Sequence, residues 1–144
     1  MTIMDVVLLV AFAIASYVDF RTKEIPLWTF PSTVAVFLVV SFATGNPPNV
    51  MNFAGFACMG IPFLLLSLFG VMGGGDFIMF SAVGFILGLE ELIPYGVCLS
   101  VVGIATFVVA KIIGKVGVKD EIPIAPIAGL SYVAYMCWRW FANV

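Results

Sequence analysis

The chain contains no histidine. That removes serine–histidine and cysteine–histidine activation of a nucleophile, and with it the commonest ligand of catalytic zinc. Charge is scarce too: 10% of the 144 residues are Asp, Glu, Lys or Arg, against about 25% in soluble domains. No block of lysines and arginines exists to contact phosphates, and the net charge is only -2, which excludes nucleic acid as a partner. The 3 cysteines, Cys58, Cys98 and Cys137, are far apart and each lies inside an apolar run. No CxxC pair occurs, so zinc-ribbon and thioredoxin-like chemistry have no support, and the expectation is buried, inert thiols. Nothing here implies a metal or any other cofactor. Acid–base chemistry in such a chain has to come from carboxylates, lysines or tyrosines.

What the chain does have is apolar length. Hydrophobic residues make up 63% of it, well above the roughly 45–50% of soluble domains. A membrane span needs about 20 mostly apolar residues. Six runs fit, near Thr2–Phe20, Pro26–Thr44, Asn49–Gly70, Asp76–Leu89, Leu92–Ile113 and Pro123–Phe141. The fold expected is all-α: a polytopic membrane bundle of about six transmembrane helices, forming one domain over residues 1–144, in contact with the lipid bilayer. Met1 to Ser16 has no basic start and carries Asp5 instead, so the first run reads as a retained span. Short connections rich in glycine, proline or polar residues imply antiparallel neighbours.

Orientation follows from the basic residues, which stay on the cytoplasmic side. Arg21 and Lys23 lie in the first connection, and Lys111, Lys115 and Lys119 lie in or beside the fifth. Six spans then leave both termini outside the cytoplasm. Glu90 and Glu91, in the fourth connection, read as a solvated outer loop. Trp28, Tyr95, Trp138 and Trp140 read as interfacial anchors. Pro62 is expected to kink the third span, and Gly84, Gly88, Gly103 and Gly129 to permit close helix packing.

Two acids stand out on this topology. Asp19 ends the first span, and Asp76 opens the fourth behind Gly73, Gly74 and Gly75. Pro123-Ile124-Ala125-Pro126 opens the sixth on the same side. An ionisable group at the edge of a span is costly and marks a functional site by default. Two adjacent carboxyls share one proton, so one activates water while the other supports the charge that develops on a scissile carbonyl. Asp76 would begin a helix and Asp19 end one, so the helix dipoles assign the shared proton to Asp19. Glycines beside Asp76 let a substrate backbone approach. Blander roles fit the same residues: Asp76 as a helix cap, and Asp19 as an interfacial acid paired with Arg21 or Lys23. At the level of the whole protein, a proton- or cation-coupled transporter, or a non-enzymatic subunit of a pilus or secretion assembly, remain alternatives.

A family resemblance bears on the choice. Asp19-Phe20-Arg21-Thr22-Lys23-Glu24-Ile25-Pro26 resembles the first-aspartate motif of type IV prepilin peptidases. Gly73-Gly74-Gly75-Asp76 is similar to the GxGD motif that carries their second aspartate, and Pro123-Ile124-Ala125-Pro126 resembles a proline-containing motif near the start of a late span. The resemblance implies a membrane aspartic endopeptidase that removes the basic leader of prepilin-like preproteins at the cytoplasmic face of the cell membrane. It carries Asp19 and Asp76 over as the catalytic pair, and Gly73 and Gly75 as the GxGD glycines. Gly73, Gly74, Gly75, Pro123 and Pro126 are the expected substrate contacts. Leu27 stands where many members have Asn, and Ile78 where many have Lys. Without the cysteine-bearing N-terminal domain of larger members, the chain resembles a peptidase-only member with no methyltransferase activity. A basic leader would be drawn to Glu24, Asp120 and Glu121, though Lys23 and Lys119 flank them.

Overall fold

The computed structural model describes residues 2–22, 25–70, 72–112 and 124–142. Lys23, Glu24, Lys115, Lys119, Asp120, Glu121 and Pro123 lie outside the described residues. Among those described there are five helices: α1 (Ile3–Thr22), α2 (Thr29–Ala43), α3 (Val50–Leu68), α4 (Gly74–Ile112) and α5 (Ile124–Ala142). Three of them, α1, α3 and α4, are long and apolar enough to cross a membrane, while α2 is a shorter apolar helix.

The fourth and fifth apolar runs are two arms of one element. Gly88, at φ 73° and ψ 169°, interrupts α4. Positive φ is open to glycine at little cost because it has no Cβ. The first arm runs from Asp76 away from the Asp19 end of the bundle. Beyond Gly88, Glu91 bonds Tyr135 and Tyr95 reaches the carbonyl of Ala128. The second arm therefore returns alongside α5 in the antiparallel sense. The chain reverses at a single residue, and the expected outer loop at Glu90 and Glu91 is helix.

A reversal strands the carbonyls at the end of the first arm, which have no partner further along the helix. Here α3 supplies the remedy. Asn52 donates its side-chain amide to the Phe85 carbonyl at 2.9 Å. The same side chain accepts the Asn49 backbone N–H, closing a capping box at the start of α3. Packing of α3 on α4 is equally backbone-dominated. A Cβ on Gly55 would lie 2.2 Å from the Gly84 carbonyl oxygen, and one on Gly84 would lie 2.4 Å from that of Gly55. Gly55 and Gly60 are the only buried residues of α3. Its remaining surface is largely apolar and outward-facing, as lipid contact requires. Pro62 lies within α3, which is continuous from Val50 to Leu68.

The other four helices form a ring in which α1 packs on α2 and α5, and α4 packs on α2 and α5, with α3 outside on α4. Phe12 is at the centre, edge-on to Phe30 and tilted against Tyr132. The pairing of α1 with α5 rests on matching 3–4 spacings. Asp5, Leu8, Phe12, Ala15 and Asp19 are buried on α1; Ala125, Ala128, Tyr132 and Tyr135 are buried on α5, with Arg139 one turn further. Trp28, Trp138 and Trp140 are exposed on the exterior, but Tyr95 is fully buried and is no interfacial anchor. Cys58 and Cys137 face outward and are unpaired, so the expectation that they are buried does not hold. In a bundle whose exterior is apolar, an apolar flank is no guide to burial.

Candidate active site

Three chain segments meet at one end of the ring. Asp19, in the last turn of α1, is 5% exposed. Its Oδ2 accepts the backbone N–H of Ala125 at 3.1 Å, and the N–H of Ile124 also donates to this carboxylate. These two donors belong to the first turn of α5, where N–H groups have no partner within the helix. Asp19 thus ends one helix and caps another. On α1 alone, the helix dipole would leave the shared proton on Asp19. With α5 included, both acids sit at helix N-termini and the dipoles no longer separate them. Pro126 occupies the first turn of α5, where its missing N–H costs no hydrogen bond.

Asp76 lies in the first turn of α4, and its Oδ2 accepts the Gly73 N–H at 3.2 Å. It therefore does act as a cap, but a half-buried one, and it lies within electrostatic reach of Asp19. The helices that carry the two acids do not pack on each other.

What brings α4 so near is Gly75. A Cβ there would meet the Ile25 Cβ at 2.9 Å and the Ile25 carbonyl oxygen at 3.0 Å. Gly73 and Gly74 are exposed, and a Cβ on Gly74 would meet nothing within 4 Å. The three glycines thus differ: one is pressed against the segment that follows Asp19, and two are open.

Arg21 lies 4.8 Å from the centre of the Tyr17 ring. Among the described residues, Asp19 has no ion pair. Neither Ala125 nor Ile25 is marked by side-chain chemistry, since one acts through its N–H and the other through its bulk. The spacing of Asp19 from Ile25-Pro26, and of Gly75 from Asp76, was the available signal.

The opposite end of the bundle holds a second set of polar groups. Tyr132 donates to Asp5 Oδ1 at 3.0 Å, and Arg139 approaches the same oxygen at 3.8 Å. Tyr135 donates to Glu91 at 2.7 Å and also contacts Arg139. Glu91 is half-buried, so it is an internal partner of α5 and no part of a solvated loop. The tyrosines 95, 132 and 135 pack together with ring centres 5.7–6.2 Å apart.

This is a helical, membrane-type bundle with two acids at one end and a charged, tyrosine-rich knot at the other. The chain belongs to the type IV leader peptidase family, whose family model matches residues 6–114. The matched stretch includes Asp19, Gly73, Gly74, Gly75 and Asp76 and stops before α5. No curated protein and no solved structure matches the chain. Membership makes it a protease-family protein built of membrane-capable helices.

Proposed function

We propose that this protein is an aspartic endopeptidase that removes the basic leader of prepilin-like preproteins, with Asp19 and Asp76 as its catalytic pair. The observation that carries the reading is the placement of these two acids, remote in sequence, at one end of the bundle, near enough for the Asp19 charge to bear on Asp76. Family membership supports the reaction class. The two acids hold one proton between them because close carboxyls do not both ionise. The ionised partner takes a proton from water as the oxygen attacks the scissile carbonyl. The protonated partner hydrogen-bonds the carbonyl oxygen as negative charge builds there. The departing amine is then protonated from the pair, which returns to its starting state.

Gly73 and Gly74, open beside Asp76, receive the substrate backbone in this scheme, and Pro126 borders it from the first turn of α5; Pro123, outside the described residues, is the further contact that the resemblance implies. Gly75 acts by admitting Ile25. The two arms of α4 cross the cell membrane separately, giving six crossings, both termini outside and the acids at the cytoplasmic face, as the basic residues of the first and fifth connections require.

The test is co-expression with a candidate prepilin, following leader removal by gel mobility and mass spectrometry. Asp19→Asn and Asp76→Asn are expected to insert into the membrane and to lose cleavage. A correctly inserted Asn variant that still cleaves would refute the dyad. A wild type that cleaves no leader-bearing substrate would return the transporter and assembly-subunit alternatives to the front.

A further inference from the structure

Ile124, Ala125 and Pro126 open α5. Main-chain N–H groups in a first helical turn have no partner inside the helix, and Pro126 has no N–H to offer. The two donors that precede it are both directed at one carboxylate, that of Asp19: Ala125 at 3.1 Å, and Ile124 beside it. Packing fixes their aim. Ala125 and Ala128 are fully buried, and a Cβ on Gly129 would lie 3.3 Å from that of Phe12 on α1. Small residues at these three places let α5 lie close along α1, with its first turn at Asp19. Asp76 is held differently. One main-chain N–H, from Gly73, reaches it at 3.2 Å, and it is half-buried.

We infer that Asp19 is the general base of the pair, and that the main-chain N–H groups of Ala125 and Ile124 position it for that role; the inference rests on the protease reading. Hydrogen bonds donated to a carboxylate favour its ionised form, and those to an ion are stronger than those to a neutral group. Asp19 is 5% exposed, and the two donors replace the water that burial removes. Being uncharged, they leave the carboxylate able to take up a proton, as a base has to. Asp76, with one main-chain donor and the Asp19 charge bearing on it, keeps the shared proton. Asp19 then takes a proton from water as the water oxygen bonds to the scissile carbon, and Asp76 gives its proton to the carbonyl oxygen. When the C–N bond breaks, Asp19 protonates the departing nitrogen and Asp76 recovers its proton from the tetrahedral diol. The other ionisable groups among the described residues lie elsewhere. On α1, Arg21 lies over the Tyr17 ring. In α2 there is none, and in α3 only Cys58. Lys111 closes the second arm of α4, and Tyr132, Tyr135, Cys137 and Arg139 begin two turns beyond Ala125.

The test removes one N–H alone. Lactic acid, put in place of Ala125 by nonsense suppression, keeps the methyl side chain and exchanges the N–H for an ester oxygen. The same exchange at Ala134, well inside α5, breaks a hydrogen bond within the helix and is the control. In proteoliposomes carrying the full chain, kcat for leader removal is followed against pH. The acidic limb of that profile reports ionisation of the base. Loss of a donor destabilises the anion, so with the ester at 125 this limb should move to higher pH by about one unit. KM should stay within about twofold, and the control should keep the wild-type limbs. A shift of the alkaline limb in its place would give the shared proton to Asp19 and overturn the assignment. Unmoved limbs, or the same shift in the control, would overturn the positioning role.

A second measurement needs no altered backbone. Carbon-13 carboxyl titration of the labelled aspartates, with Asp19→Asn and Asp76→Asn to assign the signals, should show Asp19 ionising first. Asp76 ionising first overturns the inference, even where the ester-bearing protein fails to insert. None of these outcomes touches the protease reading, which stands as long as the wild type removes a leader and is refuted where it removes none.

Discussion

Gly75→Ala is the sharpest perturbation of the acid pair that leaves both acids in place. The new Cβ would sit 2.9 Å from the Ile25 Cβ and 3.0 Å from its carbonyl oxygen. Optimal carbon–carbon contacts lie at about 3.5–4.0 Å, so one side has to give by about 0.6 Å. Ile25 is poorly able to do so: it is 8% exposed, β-branched and followed by Pro26, whose φ is fixed. The start of α4 retreats instead and carries Asp76 with it, away from Asp19. Overpacking of this kind costs about 1–3 kcal/mol of stability. A misplacement of about 1 Å in a catalytic group costs about 100-fold in rate, so leader removal should fall by about 10- to 100-fold. The assay is initial rate of cleavage per folded, inserted protein in proteoliposomes. Gly96→Ala, on the second arm of α4, is the matched control, since its Cβ meets nothing within 4 Å; it should keep near-normal activity. Wild-type rates in Gly75→Ala would refute the reasoning. So would an equal loss in Gly96→Ala, which would mean that the added methyl acts on the helix in general and not through Ile25.

Three further outcomes follow from the packing. Gly55→Ala should separate α3 from α4, because its Cβ would meet a backbone oxygen at 2.2 Å that no rotamer change can move; a loss at or above the upper end of about 1–3 kcal/mol in unfolding experiments is expected. Asn52→Ala strips the Phe85 carbonyl of its side-chain donor at the Gly88 reversal, and should cost about 1–3 kcal/mol for the orphaned group. Tyr135→Phe removes the bond to Glu91; thermal stability should fall by a similar amount, while leader removal at low temperature stays near wild type.

The apolar runs were legible because lipid demands them, and the two acids because ionisable groups are rare in such runs. What could not be read was where each run found its partner. Glu91 next to Glu90 looks like an exposed turn, since solvated loops are the usual place for adjacent acids. Its half-burial depends on Tyr135, which lies far along the chain. Gly88 looked like one more small packing residue, but it supplies the positive φ at which the chain reverses. Gly55 carries no signal of its own in the sequence, although it and Gly84 let the backbones of α3 and α4 come together. In each case the deciding contact is between elements distant in sequence, and local propensity has no access to it. Asp5 reads in the sequence as a charge out of place in a signal peptide, but the 3–4 rhythm from Asp5 to Asp19 puts both acids on one buried face of α1.

That shared face explains why two buried acids on one helix have different fates. Asp5 and Asp19 are about 21 Å apart along α1 at 1.5 Å per residue. Both point toward α5, and α5 meets them with opposite ends. Near its C-terminal end it offers Asp5 a tyrosine hydroxyl and a guanidinium, an arrangement in which losing either partner leaves a buried charge uncompensated. At its N-terminus it offers Asp19 only backbone N–H groups, with no cation among the described residues. Backbone donors orient a carboxyl group without supplying a full positive charge to hold it ionised, and the second acid is close by. On the protease reading the two ends of the α1–α5 pair do different work: an ionic tie between the helices at one, and a positioned carboxyl that exchanges a proton at the other. Asp5→Asn should therefore lower stability with little effect on cleavage by the folded fraction, whereas Asp19→Asn should abolish cleavage with a smaller effect on stability. Paired unfolding and leader-removal measurements on the two variants read both quantities, and the reverse pattern would show that the division of labour along α1 has been misassigned.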